Sequence, residues 1–409
     1  GHARPRRSAR MLGAHAERLG GVVNLDYAAS TPLRSEAIAA QLEYDRSPIA
    51  GANPNSLHSL GRAAQSELER CRRDVAGTFG PRVRPNEIVF TGGGTEANFM
   101  ALMGLAEGAR RRHPKRNRVI VSAIEHDSIL DNISFLRRSG FTVDLVKPCR
   151  EGFVEPEALE DVLGPDVALV SIMLANNETG VVQPIRDLAK AAHGAGALFH
   201  TDAVQGWLHT PFDVSDLDVD AMSVAGHKVG GPVGVGALYI RSRSPFEATM
   251  LGGGQERGLR PGTQDLRAII GFAAAARVAH ASLESDFERV HALADELYRS
   301  LLSSERIHAS MGDPFTAKRL PGVVSIVVDG IDSEELILQL DVAGYEVSAA
   351  SACSSASLDA SHVLTAMGVP RSQALGSLRI SFDDRVDAFD LKGVSSALLS
   401  IVGGHHDRR

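Results

Sequence analysis

Residues 87–109 read EIVFTGGGTEANFMALMGLAEGA, and the architecture follows from this stretch outward. Ile88 to Phe90 is a β-rich run, Gly92 to Gly94 turn the chain, and Phe99, Leu102 and Leu105 then recur at the spacing of one helix face. A strand that passes through a tight turn straight into a helix is the building unit of α/β proteins. The unit repeats. RVIVSAIEHDSILDNISFLRRSG at 118–140 gives a strand and then a helix stopped by Gly140. VALVSIMLANNETG (167–180) is an apolar strand, IRDLAKAAHGAG (185–196) a helix, ALFHTDA (197–203) a strand, and DAMSVA (220–225) and VGALYI (235–240) are two more. These strands are expected to be buried on both faces, as a sheet covered by helices requires. The expected fold class is α/β, with a large domain built on a mostly parallel sheet.

After Gly262 the pattern changes. Two long helical patterns, about 265–283 and 284–304, lead to VVSIVVDG, a helix near 333–343, YEVSAASACSSAS, SLRISF and a last helix near 386–402. This is an α+β layout, assigned to a smaller second domain. The expected division is a large cofactor-binding domain at 21–262, whose first residues can pack on the small domain, and a small domain at 263–409. Residues 1–20 hold five arginines against one acid and no sustained apolar period, so they are expected to form a disordered basic arm outside the fold.

Composition narrows the function classes. A chain of 409 residues with 44% hydrophobic content can bury a large core, and a net charge of -7 gives no general attraction to nucleic acid or an anionic membrane. No uninterrupted apolar run approaches the roughly 18 residues of a spanning helix. The three cysteines, Cys71, Cys149 and Cys353, are odd in number and widely spaced, which argues against a disulfide framework or a zinc site and for a reducing cytoplasm.

Ligands of open α/β sheets sit at the carboxyl ends of the strands. The polar residues that directly follow apolar strands are Gly94 and Thr95, His126, Asn176 and Asn177, Asp202 and Gln205, and His227 with Lys228 in VAGHKVGGPVG (224–234). A glycine turn that opens a helix presents unpaired N–H groups and the positive helix end to a phosphate. An aspartate keeps a ring nitrogen protonated, an imidazole stacks on a flat ring, and a lysine condenses with an aldehyde. Phosphate, pyridine nitrogen, phenolic oxygen and aldehyde together describe pyridoxal 5'-phosphate. Taken singly, each of these residues has an ordinary structural use, as a helix cap, a turn former or a satisfied core histidine. Their joint order is what points to the cofactor.

From Leu25 to about Phe382 the chain resembles the cysteine desulfurases and selenocysteine lyases of the class V pyridoxal phosphate-dependent aminotransferase fold. The resemblance runs through LDYAASTP, FTGGGTEAN, EHDSIL, LANNETGVVQPI, HTDAVQ, GHK, GGGQERGLRPGT and SACSSAS. It implies that Lys228 is the Schiff-base lysine and the proton shuttle at the substrate Cα. Asp202 then pairs with the pyridinium nitrogen, Gln205 and Asn177 lie near the phenolic oxygen, and His126 stacks on the ring and, as a catalytic residue, takes part in proton transfer. Thr95, the Gly94 backbone and His227 hold the phosphate, joined by Thr263 from a second subunit of a homodimer. Arg379 grips the substrate carboxylate, with Asn177 and, more weakly matched, Asn53 on the substrate side. Cys353 is the nucleophile that takes sulfur from L-cysteine as a persulfide, leaving L-alanine, for delivery to an acceptor protein such as one of iron-sulfur cluster assembly. Alternatives are selenocysteine lyase action on L-selenocysteine, a low-turnover sulfur-relay scaffold and an aminotransferase.

Three departures from the family pattern stand out. Ala225 replaces the usual Ser or Thr before GHK, removing one phosphate donor at a cost on the order of 1.5–3 kcal/mol. Ala350 replaces a glycine before the cysteine segment. FDDRVDAFD (382–390) replaces the usual glycine, arginine and threonines, and its Asp383 and Asp384 are expected to face solvent.

Overall fold

The computed structural model describes residues 21–350 and 359–405. Seven strands form the main sheet: β1 Ile88–Thr91, β2 Arg118–Ser122, β3 Thr142–Val146, β4 Val167–Ser171, β5 Leu198–Asp202, β6 Ala221–Ala225 and β7 Gly236–Ile240. Their order is β1-β7-β6-β5-β4-β2-β3. The run from β6 to β3 is parallel, and only β7 opposes its neighbours. Six of the seven strands are buried along almost their whole length, whereas the edge strand β3 leaves Thr142, Asp144 and Leu145 exposed. Val89, Val119, Val121, Leu169 and Leu238 face the helix Gly94–Arg112, here α1, whereas Ile88, Phe90, Ile120, Val170, Phe199 and Met222 belong to the opposite core. Alternate residues thus reach different cores, the period-2 consequence of a pleated strand.

The second sheet is antiparallel, in the order β10-β9-β8, with β8 Ile307–Ala309, β9 Val323–Val328 and β10 Ser377–Ser381. Its core takes in Leu336 and Leu340 from the helix Ser333–Val342 and Val394 and Leu398 from Ala388–Gly404. Val23–Asn24 pairs in parallel with Tyr345–Glu346, and Leu25 is buried in this second core, so the start of the described chain lies over the small domain.

The two helical patterns expected at 265–283 and 284–304 are one helix, α2, Leu266–Leu301. No Gly or Pro follows Gly271 within it, and its polar middle around Glu284 and Ser285 is an exposed stretch rather than a break. Its residues from Leu266 to Ala279 belong to the large core, and those from Val290 to Leu301 to the small one. The core therefore changes inside this helix, not at residue 262. By length and composition α2 would suit a membrane span, yet 61% of its most apolar window is buried within the protein.

Candidate active site

The carboxyl ends of β2, β4, β5 and β6 and the start of α1 line a cavity of about 320 Å³, which Arg379 of β10 lines as well. This is the volume class of small-molecule sites. Gly94, Thr95, His126, Asn177, Asp202, Gln205, His227, Lys228 and Arg379 all line it.

Sequence accounts for much of this convergence. A Cβ on Gly94 would stand 2.8 Å from Val204 Cγ2, so only glycine lets the positive end of the 19-residue α1 sit against the turn after β5. Gly230, at φ +85° beside the Arg34 side chain, lets the chain turn sharply after Lys228. His126 caps a short helix, its Nδ1 accepting from the Ser128 backbone N–H at 3.0 Å, an arrangement that assigns the ring proton to Nε2.

Asp202 is buried, with Oδ1 accepting from Val204 N–H at 2.9 Å and Oδ2 from Asn98 Nδ2 at 2.8 Å. Asn98 Nδ2 also donates to Ser128 Oγ at 2.9 Å, and Ser128 Oγ lies 2.9 Å from His126 Nδ1. One polar chain thus ties His126 to Asp202. Lys228 Nζ donates to the carbonyls of Ala28 and Ala29 at 2.6 and 2.7 Å, and Gln205 Nε2 donates to Ala28 O at 2.9 Å. Burial, with Lys228 adjacent, pushes His227 down to about 4, so its imidazole is neutral at neutral pH. Arg379 Nη1 donates to Asn177 O at 2.7 Å and Nη2 to Asp26 Oδ1 at 3.0 Å.

Two sequence-predicted residues stay outside the cavity. Asn53 is exposed and its Oδ1 caps a turn, accepting from Asn55 N–H at 2.9 Å. Thr263 is exposed too, in the loop whose Arg260 pairs with Glu96 of α1 at 2.6 Å. Cys353 and the arm 1–20 lie outside the described residues. Asp383 and Asp384 do not face solvent: Asp383 is buried and holds Arg385 at 2.7 Å, and Asp384 chelates Arg34, which also donates to Val229 O at 3.0 Å. The pair braces the Lys228 loop through Arg34. The partner arginine stands 350 positions away in sequence, so composition around 382–390 gave no sign of it.

Sequence reasoning also missed Asn98, although it stands three positions after Thr95, on the helix face turned to the strand ends. It missed two buried carboxyls behind the cavity. Glu125 accepts from Ser122 Oγ and from Met173 N–H, and burial pushes it up to about 8; Glu178, bonded by Ser361 Oγ, is pushed up by burial to about 7. A carboxyl raised in the folded state favours folding below its ordinary value of 4.5 and loses that advantage as pH climbs through the raised value. Stability is therefore expected to fall between about pH 5 and about pH 8 through these groups. Glu125→Gln, a neutral isostere, should narrow the difference in Tm between those two pH values; thermal unfolding at both checks it.

Comparison with known proteins follows the same lines. The aminotransferase class-V profile matches residues 23–392. A cysteine desulfurase IscS from Dictyoglomus turgidum is 40% identical over 93% of this chain and 94% of its own. The chain belongs to the class-V aminotransferase family, in its cysteine desulfurase branch. A solved NifS-like protein shares the fold with a TM-score of 0.84 at 32% identity, over 93% of this chain and 99% of that one. SspA, solved in complex with cysteine, gives 0.75 at 32% identity over 88% and 99%. The matched span of this class-V chain takes in every residue that lines the cavity.

Proposed function

We propose that the protein is a pyridoxal phosphate-dependent cysteine desulfurase, converting L-cysteine to L-alanine and passing the sulfur through Cys353 to an acceptor protein. The observation that carries this reading is the placement of Lys228, Asp202, the N-terminus of α1 and Arg379 around one cavity.

The residues present fit the cofactor. A dianionic phosphate suits the first turn of α1 at Gly94 and Thr95 together with His227, and a buried carboxylate at Asp202 suits a protonated ring nitrogen. Arg379 Nε is buried and without a hydrogen-bond partner, a donor left over on a cavity-lining guanidinium. It suits the carboxylate of an amino acid. The chemistry that pyridoxal phosphate supplies when bound is an electron sink for the substrate's Cα.

The chain's own groups do the rest. Arg379 and Asn177 hold the substrate, and Lys228 Nζ removes and returns the proton at Cα. Asp202, fixed by Asn98 and Val204, would hold the ring nitrogen, and His126, its Nδ1 engaged by the Ser128 cap, would hold the ring. The Cys353 thiolate attacks the substrate sulfur: the Cβ–S bond breaks, an S–S bond forms on Cys353, and Cβ gains the proton that makes alanine's methyl group. The exposed position of Thr263 supports its use by a second subunit of a homodimer. Ala225 lines the cavity with a methyl group where the family usually offers a hydroxyl. A cytoplasmic setting agrees with a working free thiol.

Alanine release from L-cysteine and from L-selenocysteine, followed side by side, tests the reading. Alanine from L-cysteine at a higher kcat/KM supports desulfurase action. Release from L-selenocysteine alone identifies a selenocysteine lyase, and no alanine from either leaves a sulfur-relay scaffold.

A further inference from the structure

Leu25 to Thr31 (LDYAAST) is a strap that touches both ends of the cavity. At one end it lies along β10: Ser381 N–H donates to Leu25 O at 2.8 Å, Ala28 N–H donates to Ser381 Oγ at 2.9 Å, and Asp26 forms a parallel bridge with Ser381. Two residues earlier on that strand, Arg379 donates through Nη2 to Asp26 Oδ1. At the other end Ala28 and Ala29 hold Lys228 Nζ, and Thr31 N–H donates to His227 O at 2.9 Å. Asp26 is itself fixed, its N–H donating to Asn24 Oδ1 at 2.9 Å.

The four residues from Asp26 to Ala29 thus set the guanidinium of Arg379 and the amine of Lys228 in register with each other. Asp26 and the Asn177 carbonyl take one donor from each terminal nitrogen of Arg379, and the buried Nε remains over. A guanidinium held at both terminal nitrogens cannot swing, so a carboxylate arriving at the remaining edge meets donors already oriented.

We infer that Asp26 is a positioning residue that fixes Arg379 for the carboxylate of an α-amino acid, at a set offset from the Lys228 amine. The inference rests on the proposed use of Arg379 as the carboxylate grip. It assigns the protein's preference for α-amino acids over amines without a carboxylate partly to a residue that does not line the cavity.

The test is calorimetry on the holoenzyme with L-alanine and with ethylamine, which is alanine without its carboxylate. Asp26→Ala should weaken L-alanine by about tenfold, the value of one oriented charged contact, and leave ethylamine unchanged. Asp26→Asn, which keeps the acceptor oxygen, should restore L-alanine to within about threefold. In an Arg379→Ala background Asp26→Ala should add nothing. Should Asp26→Ala not fold, Asp26→Glu, whose carboxylate is displaced by one methylene, carries the same expectation. Tighter L-alanine binding in Asp26→Ala would make Asp26 a competitor of the substrate and overturn the inference. So would equal losses for both ligands, or a wild-type protein that binds no L-alanine. A protein that binds L-alanine in this Asp26-dependent way but makes none from L-cysteine contradicts the desulfurase reading and leaves the positioning role standing.

Discussion

Lys228→Ala protein is expected to make alanine from L-cysteine at least about a thousandfold more slowly than the wild type, because in the proposed reaction one side chain both attaches the cofactor and moves the Cα proton. No other amine can take over. Lys115, Lys147, Lys190, Lys318 and Lys392 all lie outside the cavity lining. His227 is adjacent, but its depressed pKa makes it a weak base, and its Nδ1 is engaged with Ser30 Oγ at 3.1 Å. The substitution is expected to leave the fold in place, since the Lys228 amine bonds to the Ala28 and Ala29 carbonyls at the cavity wall rather than within a hydrophobic core. The measurement is alanine formed per enzyme, read beside Tm. A fall in activity with an unchanged Tm supports the assignment, and retained turnover opposes it.

Cys353→Ser is the second large effect. A serine hydroxyl is not ionised at neutral pH and does not attack sulfur, so alanine formation from L-cysteine should drop by about a hundredfold or more while L-alanine binding stays as in the wild type. The remaining thiols cannot substitute. Burial pushes Cys71 up to about 12 and raises Cys149 as well, and neither lines the cavity. The outcome also separates reaction types: transamination leaves the Cβ–S bond intact and does not need this thiol, so it would survive Cys353→Ser, whereas desulfuration would not.

The large sheet was legible because most of its strands are short, rich in apolar residues and punctuated by glycines, so the α/β pattern stood out before any contact was known. The cavity positions of Gly94, Asp202 and Lys228 were legible for a related reason: each lies at or within three residues of the carboxyl end of a strand, where such sheets place ligands. What stayed hidden depends on long-range pairing. Asp384 next to Asp383 looks like a solvated acidic pair until Arg34 arrives from the other end of the chain. Asn98 looks like one polar residue in a helix until Asp202 and Ser128 close on it. Asp26, read as part of a family motif, shows its contact with Arg379 only when strap and strand lie side by side. The polar centre of α2 carries the signature of a loop, yet without Gly or Pro and with a core at each end it remains helical.

The most direct test of the central claim is chemical. Purified protein loaded with pyridoxal phosphate is reduced with borohydride, digested and examined by mass spectrometry for the lysine that carries a pyridoxyl group. The account predicts the label on Lys228 and its disappearance in Lys228→Ala; a label on any other lysine, or none at all, contradicts it.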